Sequence, residues 1–221
     1  MKKLVKSVML KALWADGIRR LRGNAREGRV DEQAIAELWL AWDNPQWSAT
    51  PEMLVTIAKL AIRPETQCIV ECGAGISSIV LGIVCAATTK RIISLESDAR
   101  WHESIFRTVR KLGLSNVDVR LAPLTSDGGV ADWYDPAALR DVAEIDLFLC
   151  DGPPGDTRGG RTGCIPHVRG RLSRQAKIVV DDTSRPPERA LAGSLADLAP
   201  STCSFWGHPD RQFALIERTP T

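Results

Sequence analysis

Glycines and acidic residues follow two short apolar segments, each with the length and composition of a buried strand. The first segment runs into Glu71, Gly73 and Gly75, and the second is followed directly by Glu96. Glycines at the end of a strand let the backbone approach a ligand closely, and the helix that follows offers free N–H groups. An acid about 20 residues farther along, after the next strand, accepts hydrogen bonds from a ribose hydroxyl. Together these residues predict a site for a ligand that contains adenosine.

Three more acids follow later strand-like segments. Asp151 comes after residues 145–150, and Asp181 and Asp182 end the segment that starts at residue 177. In an open α/β sheet, ligands bind outside the carboxyl ends of the strands, so these carboxylates are expected to face the same crevice as the glycines. Hard oxygen ligands suit Mg²⁺, which lowers the pKa of an acceptor hydroxyl and holds it in place. In the alternative interpretation, Asp151 contacts the cofactor or the substrate, and Asp181 or Asp182 caps the next helix.

A segment rich in glycine and arginine lies between those acids. Residues 155–162 nearly match the phosphate-binding P-loop, but Arg161 stands where that motif requires lysine. The favoured interpretation is a loop over the acceptor pocket, in which the basic side chains select an anionic acceptor or are simply solvated. These side chains are Arg158, Arg161, Arg169, Arg171, Arg174 and His167. His167 is also a candidate general base, since imidazole titrates near neutrality, although a lone histidine on a helix is more often structural.

Short apolar segments alternate with helical patterns from residue 67 onward, which predicts an α/β fold. Strands are expected at 67–72, 91–95, 117–121, 145–150 and 177–181, and helices at 76–87, 99–112, 130–140, 164–173 and 186–197. Near-continuous hydrophobic strands of this kind belong to a parallel sheet that is covered on both faces. The last segments differ, because 203–207 and 213–217 flank a polar turn and predict a terminal antiparallel hairpin.

The N-terminal segment is basic. Residues 1–29 carry nine Lys or Arg against two acids, on a body that is mildly acidic. Residues 3–22 place apolar side chains near helical spacing with basic residues between them. Such a helix packs on its own domain or lies on a membrane surface. Packing is the commoner arrangement, and the sequence leaves both interpretations open.

Two further helices are expected before the first strand. One covers residues 31–43, and the other begins at Thr50-Pro51-Glu52. Threonine caps a helix start, proline suits the first helical position, and glutamate complements the helix dipole. We therefore expect an N-terminal helical arm or cap at 1–46, followed by the main domain at 47–221.

The composition fits one cytoplasmic domain of ordinary size. A chain of 221 residues with 44% hydrophobic and 25% charged residues can bury one substantial core. Lys6 and Lys11 interrupt any apolar run at the N-terminus, which argues against a signal peptide. No segment approaches the roughly 18 apolar residues that a membrane span requires. The six cysteines lack the CxxC spacing of zinc sites, so a reducing compartment is expected.

The type of ligand follows from one position in the glycine motif. The dinucleotide fingerprint requires a third glycine where Ser78 stands, which argues against NAD. The acid followed by Gly-x-Gly instead resembles the first motif of the class I methyltransferases, which use S-adenosylmethionine. From about residue 47 onward, the chain resembles a poorly characterised bacterial group of these enzymes. The matching segments are Trp47-Ser48, Ile76-Ser77-Ser78, Leu121-Ala122-Pro123-Leu124, Asp151-Gly152-Pro153-Pro154-Gly155 and Val180-Asp181-Asp182.

This resemblance implies a fold and a set of site residues. The implied fold is a three-layer α/β sandwich with a mostly parallel seven-stranded sheet, a terminal antiparallel hairpin and additional N-terminal helices. The implied cofactor-binding residues are Glu71, Gly73, Gly75, Ser77, Glu96, Ala122 and Asp151. Metal-dependent small-molecule O-methyltransferases, which the acids also resemble, place their metal ligands after the same two strands as Asp151, Asp181 and Asp182.

These observations predict transfer of a methyl group from S-adenosylmethionine to a hydroxyl of a small molecule. Asp151 and His167 are the candidate catalytic residues, and Mg²⁺ is a candidate second cofactor. The basic arm favours a nucleic-acid methyltransferase as an alternative, but a net charge of +2 gives little electrostatic footprint for nucleic acid. A binding or scaffold protein that keeps the cofactor fold without turnover is the other alternative. The acceptor, its methylated atom and the oligomeric state stay open, because this fold accommodates many substrates.

Overall fold

The computed structural model describes residues 2–42, 47–126 and 131–219, with side chains from residue 9 onward. Its α-helices are α1 (Lys2–Arg26), α2 (Glu32–Ala41), α3 (Pro51–Ala61), α4 (Ile76–Val84), α5 (Ala99–Lys111), α6 (Cys164–Val168) and α7 (Pro186–Ala196). Its strands are β1 (Cys68–Cys72), β2 (Arg91–Glu96), β3 (Val117–Leu121), β4 (Leu124–Thr125), β5 (Trp133–Tyr134), β6 (Ile145–Cys150), β7 (Leu172–Val180), β8 (Ser201–Trp206) and β9 (Phe213–Arg218). Short 3₁₀-helices occupy Pro136–Leu139 and Gly160–Gly163.

A seven-stranded sheet has the order β3-β2-β1-β6-β7-β9-β8, and β4 pairs with β5 separately. Strands β1, β2, β3, β6 and β7 run parallel, whereas β9 is antiparallel to both β7 and β8. The predicted mostly parallel seven-stranded sheet with a terminal antiparallel hairpin is confirmed. The chain passes from β1 to β2 and β3 on one side and later places β6 on the other side of β1. A ligand crevice opens at such a reversal, outside the carboxyl ends of the strands.

Apolar side chains cover both faces of the sheet. Ile69 and Val70 are neighbours on β1 and are both fully buried, but they belong to opposite hydrophobic cores. This follows because successive side chains of a strand point to opposite faces. Every residue of α4 is buried, and α4 packs in the core that contains Ile69, whereas α6 and α7 contribute to the other core. The strands that end at the crevice are therefore held from both sides.

The N-terminal helices pack on the rest of the domain. Leu21 of α1 and Leu38 of α2 are fully buried and share the core that contains α4. Asp31 accepts a hydrogen bond from the backbone N–H of Ala34 at the start of α2, and it also pairs with Arg20 of α1. This arrangement agrees with the packing interpretation of the basic helix.

Membrane contact through residues 1–29 stays a prediction. Within the described residues, no helix combines the length and the apolar character needed to cross a membrane. The division into an arm at 1–46 and a domain at 47–221 also stays a prediction, and residues 43–46 beside that boundary lie outside the described part of the chain.

The predicted helix at 130–140 is wrong. Trp133–Tyr134 pairs in antiparallel fashion with Leu124–Thr125, and only a short 3₁₀-helix follows at Pro136–Leu139. The reason is local, because Pro136 in the interior of a helix would remove a backbone hydrogen bond and clash with the preceding turn. Asp135 instead caps the short helix by accepting a hydrogen bond from a backbone N–H. Residue 130 itself lies outside the described residues.

The predicted helix at 164–173 is too long, and the strand that follows it is longer than predicted. The helix α6 ends at Val168, and β7 already begins at Leu172. Gly170 lies in the turn between them, where a residue of low helix propensity favours the end of a helix. Leu172 and Ala176 are buried on β7, but the polar residues between them are more exposed. Because buried and exposed residues do not alternate regularly there, the sequence pattern did not indicate the first half of β7 as a strand.

Gly82 supports a prediction about stability. A Cβ atom on this residue of α4 would lie 2.6 Å from Val117 Cγ2 and 2.9 Å from Leu114 Cδ1. Overpacking costs about 1–3 kcal/mol, which outweighs the roughly 1 kcal/mol by which alanine is favoured over glycine in a helix. We expect thermal denaturation to give a lower Tm for Gly82→Ala. For Gly193→Ala we expect an equal or higher Tm, because a Cβ there meets nothing within 4 Å. A raised Tm in both variants would contradict the close packing of α4.

Candidate functional site

A cleft with a volume of about 680 Å³ opens beside the carboxyl ends of β1 and β6. This volume is typical of small-molecule sites. The cleft is lined by Gly73, Gly75, Ser77, Glu96, Trp101, Tyr134, Asp151, Arg161, Asp181, Asp182 and Arg185, among others. The structure thus brings the glycines and Glu96 together with the three aspartates. A larger depression of about 870 Å³ between α5 and the edge strand β3 contains none of the predicted site residues.

The turn after β1 is built for close approach. Gly73 has a φ of 90°, a conformation that side chains disfavour. A Cβ atom on Gly73 would lie 3.3 Å from the carbonyl oxygen of Asp151 and 3.4 Å from the backbone nitrogen of Gly152. The turn therefore packs backbone against backbone. Gly75 and Ile76 line the cleft where α4 begins, so the anion-attracting end of a helix borders it.

Glu71 supports this turn from below. Its carboxylate is buried and accepts hydrogen bonds from the hydroxyls of Ser78 at 2.5 Å and Ser94 at 2.7 Å. Ser78 in turn accepts a hydrogen bond from the backbone N–H of Gly75 at 3.1 Å. Burial raises the pKa of Glu71, and its serine partners oppose the shift. Glu71 is not among the residues that line the cleft, and its other carboxylate oxygen, Oε1, is buried without a hydrogen-bond partner among the described residues, so its role in cofactor binding stays a prediction.

Glu96 is fixed at the rim of the same cleft. One of its carboxylate oxygens accepts hydrogen bonds from the backbone N–H groups of Ser97 at 2.7 Å and Asp98 at 2.8 Å. Burial raises the pKa of Glu96, and these backbone donors oppose the shift. Trp101, also in the cleft wall, donates from its indole to the carbonyl oxygen of Ala74 at 2.6 Å. This contact joins α5 to the glycine turn.

The three predicted acids converge in the same cleft. One oxygen from each of Asp151, Asp181 and Asp182 lies within 4.8 Å of the others. Burial and the neighbouring carboxylate of Asp181 raise the pKa of Asp151, and Arg161 opposes that shift. Asp182 has a φ of 60°, which is uncommon for a residue other than glycine. Strained backbone of this kind is concentrated at functional sites.

A buried arginine lies among these acids. Arg161 is only 5% exposed, although the sequence placed it in a surface loop. Its Nη2 donates to carboxylate oxygens of Asp182 at 2.9 Å and Asp151 at 3.5 Å. Its remaining nitrogens donate to the carbonyl oxygens of Pro153 at 3.2 Å, Asp181 at 3.1 Å and Cys150 at 3.4 Å. Arg185 pairs with Asp182 from the more exposed side.

The segment 155–162 does not form a phosphate loop. It leads into a short 3₁₀-helix at Gly160–Gly163 and the five-residue α6, and the side chain of Arg161 lies against the acids. Of the five arginines expected to select an anionic acceptor, all within the described residues, only Arg161 lines the cleft. Arg158 binds Asp132 and Ser126 instead, and Arg171 donates to backbone carbonyl oxygens.

Besides Glu71, two predicted site residues, Ala122 and His167, lie outside the set that lines the cleft. Ala122 is buried, and its N–H donates to the carbonyl oxygen of Glu96 at 2.7 Å. His167 lies on α6 and accepts a hydrogen bond from Arg171 at its backbone oxygen. Their roles in cofactor binding and in base catalysis stay predictions. Ser77, in contrast, does line the cleft, as do Trp47 and Tyr134.

Comparison with known proteins identifies the fold of this chain but no sequence family. No protein-family model and no curated protein matches the chain. Among solved structures, the SAH-bound methyltransferase PaMTH1 of Podospora anserina matches with 14% identity and a TM-score of 0.60, over 84% of this chain and 87% of that chain. The chain has the methyltransferase fold. An O-methyltransferase from Bacillus cereus in complex with SAH matches with 13% identity and a TM-score of 0.58, over 85% of this chain and 90% of that chain.

A third structure with this methyltransferase fold is the O-methyltransferase TomG from Streptomyces achromogenes, involved in tomaymycin synthesis and solved in complex with SAM. It matches with 17% identity and a TM-score of 0.58, over 92% of this chain and 89% of that chain. Identities this low establish the architecture and leave the chemistry to the residues of the cleft. The resemblance to a particular bacterial group stays a prediction.

Proposed function

We propose that this protein is a methyltransferase that uses S-adenosylmethionine and acts on a hydroxyl of a small molecule. One observation carries the proposal: the glycine turn at Gly73 and the fixed carboxylate of Glu96 face one cleft at the point where the strand order reverses. The fold supports it, because similar solved structures contain SAH or SAM. The three carboxylates in the same cleft support the part of the proposal that concerns the acceptor.

The residues fit this cofactor at both ends. Gly73 has no side chain and has a φ that favours glycine, so a ligand can approach its backbone closely. The start of α4 provides N–H groups for the carboxylate of the cofactor. Glu96, with its carboxylate held by two backbone N–H groups, is placed to accept hydrogen bonds from the ribose hydroxyls. S-adenosylmethionine supplies an electrophilic methyl group on a sulfonium.

The chain itself must position the acceptor and remove its proton. Methyl transfer needs in-line positioning and exclusion of water, and a hydroxyl acceptor also needs a base. Asp151 is the candidate base, because it lines the cleft and because burial beside Asp181 raises the pKa of its carboxyl. A raised pKa makes a carboxylate a better proton acceptor than an exposed aspartate. Trp47 and Tyr134 form aromatic walls of the cleft.

The predicted Mg²⁺ has a poor fit to these residues. The carboxylate oxygens are close enough to share an ion, but the guanidinium of Arg161 already binds two of the three acids. An ion between the same oxygens would face that buried positive charge. We therefore assign no step to a metal.

Calorimetric titration of the full chain tests the proposal. We expect saturable binding of S-adenosylmethionine and of S-adenosylhomocysteine, and no binding of ATP, because residues 155–162 do not form a phosphate loop. A screen of small hydroxylated acceptors should then detect methyl transfer. Binding without transfer to any acceptor, including those of a broad cell extract, would support the non-catalytic alternative. Absence of binding to folded protein would refute the proposed cofactor.

A further inference from the structure

We propose that Arg161 is a resident cation that takes the place of a divalent metal among Asp151, Asp181 and Asp182, so that the site neither binds nor needs one. The evidence is the position of its Nη2, which donates to carboxylate oxygens of Asp182 at 2.9 Å and Asp151 at 3.5 Å. Asp181 and Asp182 directly follow β7, Asp151 directly follows β6, and Arg161 reaches the carboxylates of Asp151 and Asp182 from the connection between these strands. A single side chain thus binds the carboxylates of two of the three acids that the sequence offers to a metal, and it also binds the backbone carbonyl oxygen of the third, Asp181.

Arg161 is held too firmly for an ion to displace it. An arginine side chain has N–H donors on three nitrogens, and each nitrogen of Arg161 has an acceptor within 3.5 Å. Three of these acceptors are backbone carbonyl oxygens, of Cys150, Pro153 and Asp181, which cannot move without disturbing the ends of β6 and β7 or the loop after β6. Removing a buried cation from its carboxylates leaves uncompensated charge, which is strongly destabilising. A metal ion that entered the site would have to offset this loss of stability.

The same contacts decide what Arg161 cannot do. Because its nitrogens already donate within the protein, it has no free edge with which to bind a carboxylate or phosphate of an acceptor. Its charge instead opposes the rise in the pKa of Asp151 that burial causes. Arg161 is therefore a positioning residue that holds the candidate base. This last step rests on the proposed function, whereas exclusion of a metal does not.

Binding of Mn²⁺, followed by the electron paramagnetic resonance signal of the free ion, tests the proposal without an acceptor. We expect the wild-type chain to show no saturable binding up to about 1 mM, the weak end of protein sites for divalent ions. Arg161→Gln removes the buried charge and leaves only the exposed Arg185 paired with Asp182, so we expect it to bind one ion per chain. Arg158→Gln is the matched control, because Arg158 lies on the same loop but pairs with Asp132, and it should bind none.

Two results would overturn the proposal. One is stoichiometric binding of Mn²⁺ by the wild-type chain, and the other is a folded Arg161→Gln variant that gains no ion. If Arg161→Gln fails to melt cooperatively, Arg161→Lys retains the positive charge and is expected to exclude Mn²⁺, so saturable binding there would also refute it. Calorimetry with S-adenosylhomocysteine on the same samples keeps the two questions separate. A chain that binds no cofactor and no Mn²⁺ refutes the proposed function and leaves Arg161 as the resident cation.

Discussion

Replacing Gly73 with valine is expected to abolish binding of S-adenosylmethionine while the protein remains folded. The new Cβ would lie 3.3 Å from the carbonyl oxygen of Asp151, and the branched side chain would be strained at a φ of 90°. The turn must then move away from the loop after β6, which displaces the start of α4 from its place in the cleft. Calorimetric titration measures the loss of binding, and circular dichroism checks the fold.

Gly113→Val is the control for strain alone. Gly113 also has a positive φ, of 67°. It lies after the end of α5, far from the glycine turn in the sequence, and a Cβ there meets nothing within 4 Å. We expect this variant to lose stability from the same backbone strain and to keep its affinity for the cofactor. Unchanged binding by Gly73→Val would show that the turn does not approach the ligand.

A substitution at Glu96 also tests the cofactor site, and its expected effect is a partial loss of affinity. Glu96→Gln keeps an oxygen for the backbone N–H groups of Ser97 and Asp98 but loses the negative charge that the ribose is proposed to contact. Hydrogen bonds to charged groups contribute about 1.5–3 kcal/mol, so affinity is expected to fall by about 10- to 100-fold. Because burial raises the pKa of Glu96, wild-type affinity should decline as the pH is lowered through that raised value. Glu103→Gln, on the exposed face of α5, should leave affinity unchanged.

The residues that strand ends position were predictable from the sequence. Glu96 ends a strand and Gly73, Asp151 and Asp181 each directly follow one, the apolar residues of these strands are buried, and parallel strands bring their carboxyl ends to one edge of the sheet. The alternation of strands and helices therefore sufficed to place them in one cleft. Their residue types then indicated the chemistry. No knowledge of side-chain packing was needed for this part of the site.

The location of Arg161 was not predictable in the same way. Arginine in a loop rich in glycine is usually solvated, and nothing in residues 155–162 shows which side chain turns inward. Its place exists only after β6 and β7 have paired and their acids have converged. A physical signal was nevertheless present, because buried carboxylates require a compensating charge. Three acids that share a crevice therefore predict a compensating cation, which is either a side chain of the protein or a metal.

Glu71 shows a different limit of sequence reasoning. The resemblance implies that Glu71 binds the cofactor, which stays a prediction, and the structure shows that Ser78 connects its carboxylate to the N–H of Gly75 in the glycine turn. Distance along the chain does not distinguish a residue that touches a ligand from one that supports the loop around it.

Replacing Asp151 with asparagine is expected to reduce methyl transfer by about 10²- to 10⁴-fold, the usual contribution of a general base, while changing affinity for S-adenosylmethionine little. The amide keeps the size of the side chain and can still accept a hydrogen bond from Arg161, but it cannot take up the proton of a hydroxyl. Transfer of a labelled methyl group to an acceptor found in the screen measures the loss. Asp210→Asn, in an exposed turn, is the control.

The pH profile separates a base from a binding residue. The pKa of Asp151 is raised, and the base acts only when ionised, so wild-type kcat/KM should rise as the pH increases through that pKa. In Asp151→Asn this rise should vanish, since no group at that position titrates. A variant that keeps the wild-type profile and instead loses affinity for the cofactor would show that Asp151 binds S-adenosylmethionine. The proton of the acceptor would then have to leave by another route.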